Sequence, residues 1–341
     1  MCKEILRVDD FIPEAETIQS IYFGGGTPSL LSSDELNMLI NALDKRYSIN
    51  SDAEITLEAN PDDVNEAQIC IWKQVGINRL SLGIQSLLDH ELLLMNRAHN
   101  SDQVRNSIAL LQDGGLSNIS TDLIFGIPNQ SDESIQSHLQ WLVQNNIPHI
   151  SCYALTVEPK TKLDHQIKSL KMQDVDNDQQ ARQFLLVHDE LTKAGYQHYE
   201  ISNYSLPGMK SKHNSSYWEG KRYRGYGPSA HSYNGKNIRR WNVANNAIYI
   251  NSMLDGKPIY ETETLEPSQQ FNEYVMTRLR TVEGIQLTEL KSLFGEDKFH
   301  YFKSEIHQHI ESKNLVATET HVCLTREGML YADGIAASLF L

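Results

Sequence analysis

Apolar and polar positions in the first half of the chain switch repeatedly between two periods. TIQSIYF, residues 17–23, is β-branched and aromatic and stops at Gly24, as a strand would. Ser32 with Glu35 three positions on then makes a capping-box pattern, and Leu36, Leu39, Ile40, Leu43 and Tyr47 fall on one helical face. The alternation recurs. AEITLEANP (53–61) reads as a strand through Ile55, Leu57 and Ala59, and EAQICIWKQVG (66–76) as a helix. RLSLGIQS (79–86) precedes helical SDQVRNSIALLQDGG (101–115), and ISTDLIFGIP (119–128) precedes SDESIQSHLQWLVQNN (131–146). In that helix Ser131 is the N-cap and Ile135, Leu139, Leu142 and Val143 face inward. HISCYALTVEP (149–159) closes the series.

Five strands at spacings of roughly 25 to 40 residues, each followed by a helix, give the rhythm of a parallel sheet, open or closed into a barrel. In such folds ligand groups collect at the carboxyl ends of strands. Polar residues stand at those ends: Gly24-Gly25-Gly26-Thr27, Glu58-Ala59-Asn60-Pro61, Gln85, Asp122, and Ala154 with Glu158. From about Gly195 the pattern gives way to Tyr-, Asn- and Gly-rich sequence that reads as irregular. From about Pro267 it becomes QQFNEYVMTRLR, LTELKSLFG and FKSEIHQHIESKNL, three helices, followed by a hairpin in VATETHVCLTREG. That order is winged-helix-like.

Composition narrows the classes. The 341 residues are 40% hydrophobic and 22% charged, ordinary for a globular chain of two or three domains. No apolar run approaches the roughly eighteen residues a membrane helix needs, and MCKEILRVDDFIPEAET has no secretory core. A cytoplasmic location is the default expectation. A net charge of -14 argues against nonspecific nucleic-acid binding. Residues 269–341 hold seven Lys/Arg against ten Asp/Glu, which disfavours a DNA-reading wing. Lys210 to Arg240 is the exception, with eight Lys/Arg against the single acid Glu219. The cysteines, Cys2, Cys70, Cys152 and Cys323, are far apart, without the short spacing that marks zinc and iron–sulfur sites.

The glycines of IYFGGGTPSLL fit neither GxxxxGK[ST] nor GxGxxG, since Ser29 stands where the latter needs its third glycine. They form a ligand-approach turn of another sort, or a tight turn alone. Glu58 can accept hydrogen bonds from a ribose, bind an amine, or cap the following helix; Gln85, Arg97 and Asp122 are equally open. Within the basic island, KHNSSYWEG (212–220) sets His213 close to Tyr217 and Trp218. A neutral imidazole can ligate a metal. Cations with aromatics suit a flat anionic ring system, single-stranded RNA, or a solvated loop.

The motifs YFGGGTPSLL, LEANPDD, NRLSLGIQS, NRAHN, STDLIFGIP and GYGPSAHSY run in order over nearly the whole chain. Together they resemble the radical S-adenosylmethionine (radical SAM) proteins of the coproporphyrinogen-dehydrogenase-like group, and HNSSYW resembles the HNxxYW motif of the HemW-type heme chaperones. The resemblance implies an α/β fold: a partial (β/α) radical-SAM-type barrel lacking its first strand, with a C-terminal winged-helix-like domain. The corresponding segments are residues 1–194 for the barrel core, 195–266 for the HNSSYW-bearing segment and 267–341 for the terminal domain. By position it implies Gly25, Gly26 and Thr27 against the methionyl part of S-adenosylmethionine, and Glu58 on the same molecule. Gln85, Arg97, Asp122 and Ala154 match positions at a nucleoside ligand, and His231 lies in the segment that closes the site. His213 is the implied heme contact and candidate iron ligand, with Tyr217 and Trp218 shaping the pocket.

The family also carries CxxxCxxC upstream of the glycines, holding a [4Fe–4S] cluster; here that loop and its strand are absent, and Cys2 cannot substitute. The chain therefore reads as a fragment beginning at an internal methionine, rather than as a natural cluster-free variant, and as given it is expected to make no radical. The function implied is heme binding and delivery to respiratory acceptors, with a homodimer and peripheral membrane association as open expectations and no nucleic-acid partner. Oxygen-independent coproporphyrinogen III oxidation is the enzyme alternative, which HNSSYW disfavours; a winged-helix nucleic-acid module is the third.

Overall fold

The computed structural model describes residues 1–7, 11–13 and 16–341. In chain order the elements are α1 (Cys2–Ile5), β1 (Thr17–Phe23), α2 (Ser33–Arg46), β2 (Ser48–Ala59), α3 (Glu66–Val75), β3 (Arg79–Gln85), α4 (Asp89–Leu94), α5 (Ser101–Asp113), β4 (Ile119–Phe125), α6 (Asp132–Gln144), β5 (His149–Ala154), α7 (Lys162–Lys168), α8 (Asn177–Lys193), β6 (Gln197–Glu200) and β7 (Asn203–Ser205). There follow α9 (Lys212–Trp218), β8 (His231–Tyr233), β9 (Ile238–Asn242), α10 (Asn246–Leu254), β10 (Tyr260–Thr264), α11 (Pro267–Leu279), β11 (Ile285–Gln286), α12 (Leu287–Glu305), α13 (His307–Glu311), β12 (Leu315–Ala317), β13 (His321–Leu324) and α14 (Ala332–Ser338).

Seven strands form one curled sheet in the order β1-β2-β3-β4-β5-β7-β6. β2 to β5 are parallel, as the spacing predicts, and β7 and β6 add an antiparallel flank. The α/β architecture and partly closed barrel expected from the sequence are what the chain forms. The Ser32 capping box is present, with Glu35 N–H donating to the Ser32 hydroxyl and Ser32 N–H to the Glu35 carboxylate.

The chain divides into two compact units, with the division falling inside β1 and β2. One comprises residues 22–31 and 54–211, the other residues 1–21, 32–53 and 212–341. In the first, Leu80, Leu82 and Ile84 of β3 are fully buried, on the sheet face that helices cover. Trp72 of α3, Ile108 and Leu111 of α5, and Leu139 and Leu142 of α6 are buried with them. In the second, α1, α2, α9 and α10 accompany the antiparallel sheet β10-β9-β8. Its terminal part encloses Phe271, Val275, Phe302, Val322 and Ile335 around the small sheet β11-β13-β12. α12 is broken at Gly295 (φ 83°), where the sequence ends LTELKSLFG.

Two expectations are corrected. Residues 195–266 are not irregular: they hold β6 to β10, α9 and α10, elements of three to nine residues that are too short for a period to register. FKSEIHQHIESKNL is not one helix but the end of α12, then α13 to Glu311. None of the described helices is long and apolar enough to cross a membrane.

Candidate functional site

In a parallel strand successive side chains point to opposite faces. The helix-covered face of β3 takes the leucines, so Arg79, Ser81, Gly83 and Gln85 share the inner face. Register then carries that face across the sheet. Thr56 pairs with Arg79 and Glu58 with Ser81; Ser81 pairs with Ser120; Ser120 and Asp122 pair with His149 and Ser151. The interior of a closed (β/α) barrel is normally filled by layers of branched apolar side chains. Here the same positions are polar, which makes the inner face a binding surface rather than a packing core.

At the amino ends of these strands the polar groups pair only in part, since Arg79 Nε and Nη2 and Thr56 Oγ1 are buried without a hydrogen bond. Arg79 faces Glu54 at 3.9 Å with both side chains buried. His149 lies between the Ser120 hydroxyl at Nδ1 and the Tyr199 hydroxyl at Nε2, each 2.7 Å away. Burial, with Arg79 adding to it, holds His149 neutral, well below the usual histidine range.

The carboxyl ends are more open. Glu58 accepts a hydrogen bond from Tyr22 Oη at Oε1 (2.8 Å) and from Gly25 N–H at Oε2 (3.0 Å). It does not cap a helix; Asn60 and Asp63 perform that role for the next turn. The Tyr22 phenol is driven far above its usual range by burial and then by Glu58. A side chain at Gly24 would strike the Tyr22 ring at 2.5 Å and Glu58 Oε1 at 2.9 Å, so glycine is required there for packing. Gly25 and Gly26 have φ of 78° and 72° and open space where a Cβ would stand, leaving their backbone accessible to a ligand. Thr27 follows, exposed, before the Pro28–Leu30 turn.

Gln85 ends β3 with φ 62°, a left-handed backbone rare outside glycine. Above Gly83 its amide, the Arg97 guanidinium and the Asn60 carboxamide converge, and Arg97 Nη2 donates to Asn60 Oδ1 at 3.0 Å. Burial pushes the Asp122 carboxyl up to about 6 against a hydrogen bond from Ser151 and the pull of Arg79 and Arg97. Ala154 ends β5, exposed and in register with Phe125. The structure thus brings Gly25, Glu58, Gln85, Arg97 and Asp122 onto one polar face and its rim. Tyr22, Asn60, Arg79, His149 and Ser151 are additions the motifs did not name, though strict alternation along the strands would have found the last three.

Two supports fix this rim. Beneath Gln85, Glu91 of α4 accepts from Ser86 (2.5 Å), His138 (3.0 Å) and Ser134 (2.7 Å). Burial opposes its charge, yet these donors hold it down at about 2. Along α8, Gln183 Oε1 accepts from Gly126 N–H, Gln179 donates to the Ile127 and Gln130 carbonyls, and Gln180 donates to the Leu155 carbonyl. The turns after β4 and β5 are therefore pinned by glutamines.

The HNSSYW motif and His231 lie in the other unit. HNSSYW falls on α9, where His213 and Tyr217, four apart, share a face with ring centroids 5.0 Å apart at 86°. Ser20 Oγ hydrogen-bonds His213 Nδ1 at 3.3 Å. Trp218 is not part of that pairing; its ring packs under the Arg280 guanidinium at 5.5 Å. His231, exposed, stacks on Trp241 at 5.9 Å and 23°.

The radical SAM superfamily profile matches residues 3–142, and that of the HemN C-terminal domain matches residues 265–331. Heme chaperone HemW of Lactococcus lactis is 30% identical, over 96% of this chain and 86% of the relative. That of Bacillus subtilis is 31% identical over 93% and 84%, and that of Escherichia coli 30% over 96% and 85%. Among solved structures, the E. coli coproporphyrinogen III oxidase HemN superposes with a TM-score of 0.81 at 20% identity, covering 95% of this chain and 78% of that one, which establishes the shared fold.

Membership of the radical SAM superfamily implies S-adenosylmethionine and a [4Fe–4S] cluster. The accessible backbone of Gly25 and Gly26 beside a carboxylate fits the first. The donor set does not fit the second. Cys2 lies in α1, Cys70 is exposed on α3, Cys152 is buried in β5 with its thiol pushed far up by burial, and Cys323 is in β13. Among the described residues no cluster of three His, Cys, Asp or Glu can hold a metal. By its sequence relatives over nearly its whole length, and by the fold that carries these sites, this chain belongs to the HemW heme chaperone family of the radical SAM superfamily.

Proposed function

We propose that this chain binds heme at the His213–Tyr217 face and passes it to acceptor proteins, respiratory enzymes reached from the cytoplasmic side. The observation that carries the reading is the α9 pairing: an imidazole whose Nδ1 is engaged by Ser20 and whose ring is buttressed by Tyr217. In the tautomer whose Nδ1–H donates to Ser20, that bond orients the ring and leaves Nε2 as the nitrogen for heme iron. Trp218, whose ring packs under Arg280, is proposed to shape the pocket beside Tyr217. HNSSYW favours this reading over coproporphyrinogen oxidation.

The polar inner face is the proposed S-adenosylmethionine site. Glu58 would hold the amino group, the Gly25–Gly26 backbone the methionyl part, and Gln85, Arg97 and Asp122 the nucleoside, with Thr27 and Ala154 at the edge. His231, linked to the same ligand by the resemblance alone, lies in the other unit. When bound, S-adenosylmethionine supplies an activated sulfonium whose reductive cleavage needs an electron donor. The cysteines of this chain offer no cluster to provide one, so its own residues bind and orient.

Heme titration of the purified chain tests the reading. The expected outcome is a Soret shift with saturable binding, weakened about tenfold in His213→Ala. No Soret shift in the wild type would overturn it.

A further inference from the structure

The rings do not stop at Tyr217. Its centroid lies 4.7 Å from that of Tyr223 at 66°, and Tyr223 lies 6.4 Å from Tyr233 at 45°. All of these belong to one compact unit. The contact is built into the backbone: Tyr223 N–H donates to the Tyr233 carbonyl at 2.9 Å and Tyr233 N–H returns a bond at 3.0 Å. Tyr233 Oη donates to the Lys236 carbonyl, which fixes that ring's direction. Tyr217 is 40% exposed, and Tyr223 and Tyr233 are half-buried.

The β8–β9 ladder continues the surface. Tyr233 pairs with Arg239 and His231 with Trp241, so residues two apart on each strand put Tyr233, Arg239, His231 and Trp241 on one sheet face. Arg239 pairs with Glu273 at 2.5 Å and stands opposite Glu263 of β10. Its charge is thereby offset within the protein, so this surface offers rings more than charge. Burial raises the phenols of Tyr217, to about 12, and of Tyr223 and Tyr233, so all three are neutral near pH 7.

We propose that Tyr223 and Tyr233 extend the ligand surface begun by His213 and Tyr217, and that a porphyrin macrocycle rests against these rings whether or not it carries iron. The inference rests on the heme-binding reading above but assigns separate roles. His213 recognises the metal, and the tyrosines recognise the ring system through dispersion and quadrupole contacts. A chaperone built this way keeps its hold on the macrocycle while the iron exchanges ligands.

The test compares heme with metal-free protoporphyrin, followed by Soret absorbance and by porphyrin fluorescence. Wild-type protein is expected to bind both, and His213→Ala to weaken heme alone. Joint Tyr223→Leu and Tyr233→Leu substitution should weaken both ligands about tenfold, whereas the paired Phe substitutions, which keep the rings, should stay within about twofold of wild type. Circular dichroism checks folding; if the Leu pair is unstable, the single Tyr233→Leu variant, expected to weaken both ligands to a smaller degree, carries the comparison. Unchanged protoporphyrin affinity in the Leu variants overturns the ring surface and leaves the heme reading standing. So does wild-type protein that binds heme but not protoporphyrin. A wild type with no Soret response to heme overturns the underlying reading as well.

Discussion

Burial pushes the Asp122 carboxyl up to about 6 from an ordinary value of 3.8. A carboxyl whose folded pKa is raised favours the fold in its protonated form. Its contribution is fully present below 3.8 and is lost as the pH rises through about 6. Asp122→Asn is therefore expected to stabilise the protein at about pH 7.5 by up to about 3 kcal/mol, with the gain vanishing toward about pH 4. Urea unfolding of both proteins at the two pH values measures this, and an equal gain at both contradicts a raised Asp122. Asp122 thus resembles a site residue held at a cost to stability, as polar groups on a binding face often are. Glu58, two strands away on the same face, should matter to ligand rather than to fold. Its Gln variant is expected to lose S-adenosylmethionine affinity by about tenfold, read by calorimetry, because a neutral amide loses the charge-assisted bond to an amine.

At the scale of elements, the rim depends on how β3 leaves the sheet. Ser86 follows the left-handed Gln85, and its hydroxyl donates to Glu91, while His138 and Ser134 tie the same carboxylate to α6. Glu91 is held at about 2, so its stabilisation is present above 4.5 and is lost as the pH falls through about 2. Glu91→Gln should cost about 3–5 kcal/mol at neutral pH, since it leaves buried donors without a charged acceptor. The difference from wild type should shrink below about pH 4, and denaturant midpoints across that range check it. None of this was visible in the motifs, because Ser86, Glu91, Ser134 and His138 are scattered polar residues until α4 and α6 pack. By contrast the Ser32 capping box and the ends of the parallel strands were legible, because their signals lie within a few residues of one another.

For the whole molecule, the cysteines set the chemistry this chain can support. They lie in α1, α3, β5 and β13. Anaerobic reconstitution with iron and sulfide is expected to leave this chain without [4Fe–4S] absorbance. A stable cluster spectrum with matching iron content would overturn the donor-set argument. Binding of heme is expected to survive that treatment, since the proposed heme face draws on imidazole and phenol rings.

The sequence by itself determined the βα rhythm, the glycines and carboxylates at the ends of separate strands, and the nearness of His213 to Tyr217 along the chain. Each is a local signal, written in spacings of two, three or four residues that backbone geometry turns directly into a shared face. Only the tertiary structure decided that Glu58 receives Tyr22 and Gly25 rather than capping a helix, that Trp218 turns to Arg280, and that Tyr223 and Tyr233 join the His213 rings. Those outcomes depend on strand register and on which helix packs where. Both are set by burying apolar surface across the chain, and no short window of sequence contains them.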